Sequence, residues 1–170
     1  MVTDYRSSNT PEDIRDLWQT PKWLFDFFNE RFEFSCDIAS SDKNHLLEKY
    51  ITEEMDSLTY DFSEFRNTYT WCNPPYSDIT PWIDLAIKNK KLKVGTVLLL
   101  PADTSVKWFT KCINHADEVV FITGGRVSFT RADTQQSVSG NTKGSVIVIF
   151  SPEAERYKLT TSYIERDWIK

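Results

Sequence analysis

The chain has few of the residues that build metal centres, phosphate loops or membrane anchors. Only two histidines occur, His45 and His115, and only three cysteines, Cys36, Cys72 and Cys112. Neither histidine has a ligand-spaced partner and the cysteines show no zinc spacing, so no metal site is expected. Scattered thiols of odd number, each in an apolar stretch, argue for free cysteines in a reducing compartment. There is no Gly-rich phosphate loop and no nucleophilic triad. No apolar run is long enough to span a bilayer. The opening Met1-Val2-Thr3-Asp4-Tyr5-Arg6 is polar, so no secretory signal is expected. A net charge of −5 argues against a protein that coats nucleic acid. It does not exclude an enzyme that meets nucleic acid through a local patch.

Hydrophobic residues make up 40% of the chain and aromatics 14%, enough for one substantial core in 170 residues. Residues 1–19 read as a polar arm and 20–170 as a single domain. Thr20 and Pro21 suit the cap and first turn of a helix, whose buried face would be Leu24, Phe25, Phe27, Phe28 and Phe32. Phe34 to Ile38 reads as a strand, Lys43 to Lys49 as a short helix and Tyr50-Ile51-Thr52 as a weak strand. Tyr69 to Cys72 is a short buried strand, followed by a helix over 79–90. Gly95 to Leu100 is continuously apolar and stops at Pro101, as a strand buried on both faces should. A helix over 104–113 follows, then β-like runs at Glu118–Ile122, Val127–Phe129 and Ser145–Phe150. The alternation predicts an α/β sheet closed by a terminal β-hairpin. Residues 131–144 form a polar loop without apolar period. The chain has no internal repeat.

The most informative residues are Asn73-Pro74-Pro75-Tyr76, between the strand 69–72 and the helix 79–90. In an open α/β sheet, ligands bind at the carboxyl ends of the strands, where this loop falls. Its chemistry suits methylation of a planar amino group. Such an amine is a poor nucleophile because its lone pair is delocalised. Two acceptors on its N–H bonds, the Asn73 side-chain carbonyl and the Pro74 backbone carbonyl, would draw it toward a pyramidal geometry. The Pro-Pro pair makes a rigid frame. The Tyr76 ring offers a stacking face, worth roughly 1–3 kcal/mol per base.

The chain resembles the phage-encoded DNA adenine-N6 methyltransferases. The resemblance rests on five segments in order: Trp18-Gln19-Thr20-Pro21, Phe34 to Ser40, Asn73 to Ser77, Leu100-Pro101-Ala102 and Gly125 to Phe129. It implies a Rossmann-like sheet, S-adenosylmethionine as cofactor, double-stranded DNA as partner and the bacterial host cytoplasm as workplace. It also implies roles. Asp37, Ile38, Ala39 and Ser40 would lie under the methionine part of the cofactor, with Thr20 and Pro21 closing over that end. Asp61 would accept from the cofactor's adenine amine, with Phe62 packing nearby. Asn73 would border both cofactor and target, and Glu53 or Glu54 is a candidate for the ribose. The turn Ala39-Ser40-Ser41-Asp42 lacks the glycines that many methyltransferases carry, as is common in this phage family.

A duplex adenine must be flipped into the Asn73–Tyr76 pocket. Residues expected to hold DNA are Arg126, Arg131, Gln135, Gln136, Asn141 and Lys143, from the 131–144 loop and its flank; glutamine and asparagine suit an adenine edge. The cations Lys88, Lys90, Lys91 and Lys93 are expected at a helix end opposite the chemistry. No separate recognition domain fits this length, so a short recognition sequence is expected. RNA adenine, a protein glutamine amide, and a degenerate DNA-binding fold without turnover remain alternatives.

Overall fold

Strands that are apolar on both faces need cover on both sides, and the helices supply it. In the computed structural model, residues 18–138, 143–153 and 158–170 are described. In chain order the elements are β1 (Trp18–Gln19), α1 (Lys22–Phe32), β2 (Cys36–Asp37), β3 (Tyr69–Cys72), α2 (Thr80–Lys91), β4 (Gly95–Pro101), α3 (Lys107–His115), β5 (Glu118–Thr123), β6 (Thr130–Arg131), β7 (Ser145–Phe150) and β8 (Thr160–Glu165). Short 3-10 turns occupy Phe62–Phe65 and Arg166–Trp168.

Six strands form one mixed sheet in the order β2-β3-β4-β7-β5-β8, while β1 pairs with β6 in a separate two-stranded ribbon. The pairs β2–β3, β3–β4 and β5–β8 are parallel, and β7 runs antiparallel between β4 and β5. Alternate residues of each strand enter opposite cores. Val97, Leu99, Ile147 and Ile149 face α1 with Leu24, Phe25, Phe28 and Phe32. Leu98, Leu100, Val146 and Val148 face α2 and α3 through Ile83, Ala86, Phe109 and Cys112.

This topology gathers several chain ends at one edge. β2, β3 and β4 all finish there. The partner of Pro101 is Ser145, where β7 begins; Ser145 also pairs with Ile122, and β5 and β8 finish beside it at Thr123 and Glu165. The basic end of α2 lies at the opposite edge, where Lys90 pairs with Asp117 at 2.6 Å, just before β5.

The structure departs from the sequence expectations at several points. Phe27 is 36% exposed, outside the buried face of α1. The expected strand 34–38 is confined to Cys36–Asp37, and of Tyr50-Ile51-Thr52 only Tyr50 forms a bridge, to Asp37. Residues 43–49 form turns rather than a helix, because their polar groups are taken by tertiary bonds. The Asn44 side chain bonds Ser41 N and Trp18 O, and Leu46 N donates to Asp37 Oδ2. Thr20 does not cap α1; Pro21 holds that position without a side-chain bond, and its carbonyl accepts from Leu24 and Phe25. Val127–Phe129 is not a strand; pairing begins at Thr130 and the partner is β1. The last two strands do not make a hairpin with each other, since β5 lies between them. The antiparallel pair is β5 with β7, joined by the long segment 124–144. Residues 1–17 of the expected arm lie outside the described residues.

Candidate active site

The loop after β3 is held on both sides. β3 is buried from Thr70 to Cys72, and Pro74 is buried while Pro75 is exposed. Tyr76 is packed against both cores, and its hydroxyl donates to the Leu99 carbonyl at 3.3 Å. Burial pushes that phenol well above its ordinary pKa, so it stays a neutral donor. The Tyr76 ring stands edge-on to Phe129, with centroids 6.1 Å apart, and Phe129 stacks against Trp18 at 6.1 Å and 10°. Three aromatic rings thus wall the sheet edge on the α1 side.

Four polar atoms at this edge are buried and have no hydrogen-bond partner among the described residues: Asn73 Oδ1, Thr20 Oγ1, Trp18 Nε1 and Ser145 Oγ. Each such group costs about 1–3 kcal/mol when left unpaired. Buried polar groups in folded proteins are nearly always satisfied. Three other such atoms, Trp71 Nε1 and both amide atoms of Asn89, lie away from this edge, and the grouping of four beside the ends of β3 and β4 makes this edge the candidate ligand site. Asn73 Oδ1 can only accept, and the Thr20 hydroxyl can accept or donate.

Asp37 ends β2 and is 3% exposed. Its Oδ2 accepts from Leu46 N at 3.1 Å and its Oδ1 from Ala39 N at 3.4 Å. Burial raises its pKa to about 6, against the two backbone N–H groups that favour the anion. Ile38 is buried and takes Ser57 Oγ on its carbonyl. Ala39 and Ser40 are half-buried in the turn, with Ser40 N bonded to Ile51 O.

Asp61 is exposed and caps the 3-10 turn by accepting from Ser63 N at 3.0 Å. That bond and the Ser63 hydroxyl, with help from the Lys88 charge, hold its carboxyl below the usual range. Phe62 is fully buried, so it supports the turn from behind. An open hollow along α2 is lined by Leu58, Asp78, Pro81, Asp84, Leu85 and Lys88, with no residue of this turn in its lining. Glu53 and Glu54 are both exposed in the turn after Ile51.

A model of the DNA N-6-adenine-methyltransferase (Dam) family matches residues 7–170. A DNA N-6-adenine-methyltransferase of Haemophilus phage HP1 is 36% identical over 160 residues, covering 92% of this chain and 91% of its own. One of Escherichia phage T1 is 33% identical over 175 residues, covering 94% of this chain and 73% of its own. The chain belongs to the DNA N-6-adenine-methyltransferase family.

Within that family frame, the structure brings some of the expected site residues together and leaves others, such as Asp61, Arg126 and Lys143, apart. Asn73 to Tyr76, Asp37 to Ser40, Thr20 and Pro21 share the one sheet edge. Segment 18–21 is tied there by β1–β6 pairing and by Gln19 Nε2, which donates to the Asn44 and His45 carbonyls. Arg131, Gln135 and Gln136 share one tight turn: Arg131 pairs with Asp133 at 2.7 Å, Arg131 N donates to Gln136 O, and Gln135 adopts φ 55. Lys143 lies back at the end of β4, in an ion pair with Asp103. Arg126 is exposed after Gly124 and Gly125, and its carbonyl accepts from Arg166 Nη1. Gly125 has φ 143, a backbone conformation that side-chain-bearing residues rarely adopt, which accounts for glycine there. Asn141 lies outside the described residues. Among the described residues there is no cluster that could hold a metal and no helix long and apolar enough to cross a membrane.

Sequence reasoning assigned no role to Trp18, Asp103, Phe129 or Ser145. Trp18 and Phe129 lie within the family-like segments, which was their only signal. Ser145 was visible only as a polar residue opening an apolar strand.

Proposed function

We propose that this chain transfers a methyl group from S-adenosylmethionine to the N6 amine of an adenine flipped out of double-stranded DNA. The proposed setting is the cytoplasm of the bacterial host, with residues 20–170 acting as one methyltransferase domain of Rossmann-like descent. The observation that carries the reading is the buried, unpartnered Asn73 Oδ1 between β3 and the Pro-Pro frame. Membership of the family supports it.

S-adenosylmethionine, when bound, supplies an electrophilic methyl group. Its amino-acid end suits Asp37, whose carboxylate can pair with an ammonium, and the Thr20 hydroxyl, which lacks a partner. Asp61, exposed at the cap of the 3-10 turn, is a fitting acceptor for the amine of its adenine end. The target amine gives its two N–H bonds to Asn73 Oδ1 and the Pro74 carbonyl, which frees its lone pair. Tyr76 stacks on the base, and its orientation is fixed by Leu99 and Phe129. After transfer the nitrogen is cationic and loses its proton readily, so no strong base is required. Orientation of the amine and fixed dipoles facing the developing positive charge carry the catalysis. Flipping costs a few kcal/mol, offset by stacking and by contacts from Arg126, Arg131, Gln135, Gln136, Asn141 and Lys143.

The test is transfer of labelled methyl from S-adenosylmethionine to unmethylated bacterial DNA, with nucleoside analysis. Label as N6-methyladenine supports the reading, and sequencing the modified sites gives the recognition sequence. Label found only in RNA or in glutamine would move the acceptor to one of those. Cofactor binding without label in any acceptor, or no binding at all, would make this a fold without turnover.

A further inference from the structure

Strand β7 reads Ser-Val-Ile-Val-Ile-Phe and is buried at every position. Its single polar residue, Ser145, is 2% exposed, and its hydroxyl has no partner among the described residues. A buried hydroxyl without a partner destabilises a fold. Alanine would fit an apolar strand better, so the hydroxyl needs a reason outside the free protein.

Its position suggests one. Ser145 alternates with Ile147 and Ile149, so it points to the α1 face of the sheet, the face that carries Phe129 and the Tyr76 contact. Its register partner is Pro101, and two residues earlier Leu99 pairs with Ile147 and takes the Tyr76 hydroxyl on its carbonyl. Ser145 is therefore one pleat beyond Tyr76's anchor, toward the open edge. In the strand order β2-β3-β4-β7-β5-β8, the cofactor candidate Asp37 ends β2, on the β2 side of the catalytic loop. Ser145 lies on the other side, next to Lys143 and the segment expected to meet DNA. A ligand reaching it from the catalytic loop is the target base rather than the methyl donor.

Adenine's hydrogen-bonding needs fit this place. Its amine is a donor, answered by Asn73 and Pro74. Its ring nitrogens are acceptors only and need a donor from the protein. The geometry points to Ser145 as a further specificity-determining residue, whose hydroxyl donates to N1 or N7, the ring nitrogens on either side of the amine of the flipped adenine. The inference rests on the methyltransferase reading above and deepens it. The hydroxyl is covered in the free protein, so the bond forms only once the entering base has opened a path to it.

The test couples removal of the hydroxyl to removal of the ring nitrogen. Duplexes carrying the enzyme's own recognition sequence are prepared with the target adenine replaced by 7-deazaadenine or 1-deazaadenine. Both analogues keep the amine. The wild-type enzyme is expected to lose roughly ten- to a hundredfold in kcat/KM on one of the two. Ser145→Ala should lose a similar factor on natural adenine and nothing further on that analogue. Its melting temperature should match or exceed that of wild type, because an unpaired buried hydroxyl is gone. A merely structural serine would not give this atom-for-residue coupling. Wild-type methylation with Ser145→Ala unchanged on all three bases would overturn the assignment alone. Absence of N6-methyladenine from wild-type reactions on any DNA would overturn the methyltransferase reading and the Ser145 role together.

Discussion

The Phe129 ring stands at 63° to the Tyr76 ring with centroids 6.1 Å apart, and it joins the two residues across more than fifty positions of chain. Edge-to-face pairs of this kind contribute about 0.5–1.5 kcal/mol beyond burial. Under the proposed function, the pair would also set where a stacked base sits.

Phe129→Leu should therefore separate stability from positioning. Leucine keeps most of the apolar contact, so the expected loss of stability is about 1–1.5 kcal/mol by denaturant titration. Methyl transfer should fall by a larger factor, through kcat more than through cofactor affinity, because Tyr76 loses its lateral support. Equal and small losses in both would mean that Phe129 is packing alone.

Asn73→Ala should abolish measurable turnover, a drop of at least roughly 100- to 1,000-fold by analogy with loss of one preorganised dipole. The fold should survive, with a melting temperature equal to or above wild type, since the removed Oδ1 is buried and unpaired. Cofactor binding by calorimetry should persist. A variant that methylates at the parent rate would show that the amine is activated elsewhere.

Asp37 gives a pH dependence of definite sign. Burial raises its folded-state pKa from 3.8 to about 6. Between those values the unfolded chain has released a proton that the folded chain keeps. The contribution is fully present below pH about 4 and is lost as pH rises through 6, a change of about 3 kcal/mol. Binding of an ammonium-bearing donor runs the other way, because it needs the anion. Affinity for S-adenosylmethionine should thus weaken about tenfold per pH unit below 6. Asp37→Asn should bind weakly and without that slope. A flat wild-type titration from pH 5 to 8 would remove Asp37 from the donor site.

Much of the scaffold is legible in the sequence because it depends on local patterns. β3, β4, β7 and α2 follow from short apolar runs or helical spacing, and the Asn-Pro-Pro-Tyr loop falls at a strand end as its flanks require. What escaped depends on distant partners. β1 and β6 are two residues each and exist only because Trp18 meets Arg131 and Gln19 meets Thr130. β8 is half exposed at the sheet edge, so Thr160 to Glu165 carries weak alternation and was not anticipated. Residues 43–49 have helical composition, but Asp37 and Trp18 draw off their hydrogen-bonding groups. The aromatic wall beside the loop was hidden for the same reason: Phe129 meets Tyr76 only through tertiary packing of the chain before β6.

The ion pair between Lys143 and Asp103 bears on DNA binding. A lysine that contacts phosphate must leave its carboxylate partner, and Asp103 also accepts from Ser105 N and Oγ, so it can release Lys143 without being stranded. Asp103→Asn should then tighten binding to duplex DNA, because the cation no longer has a competing anion. Lys143→Ala should weaken binding evenly across sequences and reduce the salt slope, d log K/d log [salt], by about one. The two effects should not add: in the double variant the Asp103 substitution has no lysine to release, so only the Lys143 loss remains. Equal salt slopes for wild type and Lys143→Ala would mean that the pair serves only to fasten the end of β4 to the chain entering β7, and that phosphate is met by Arg126 and Arg131 instead.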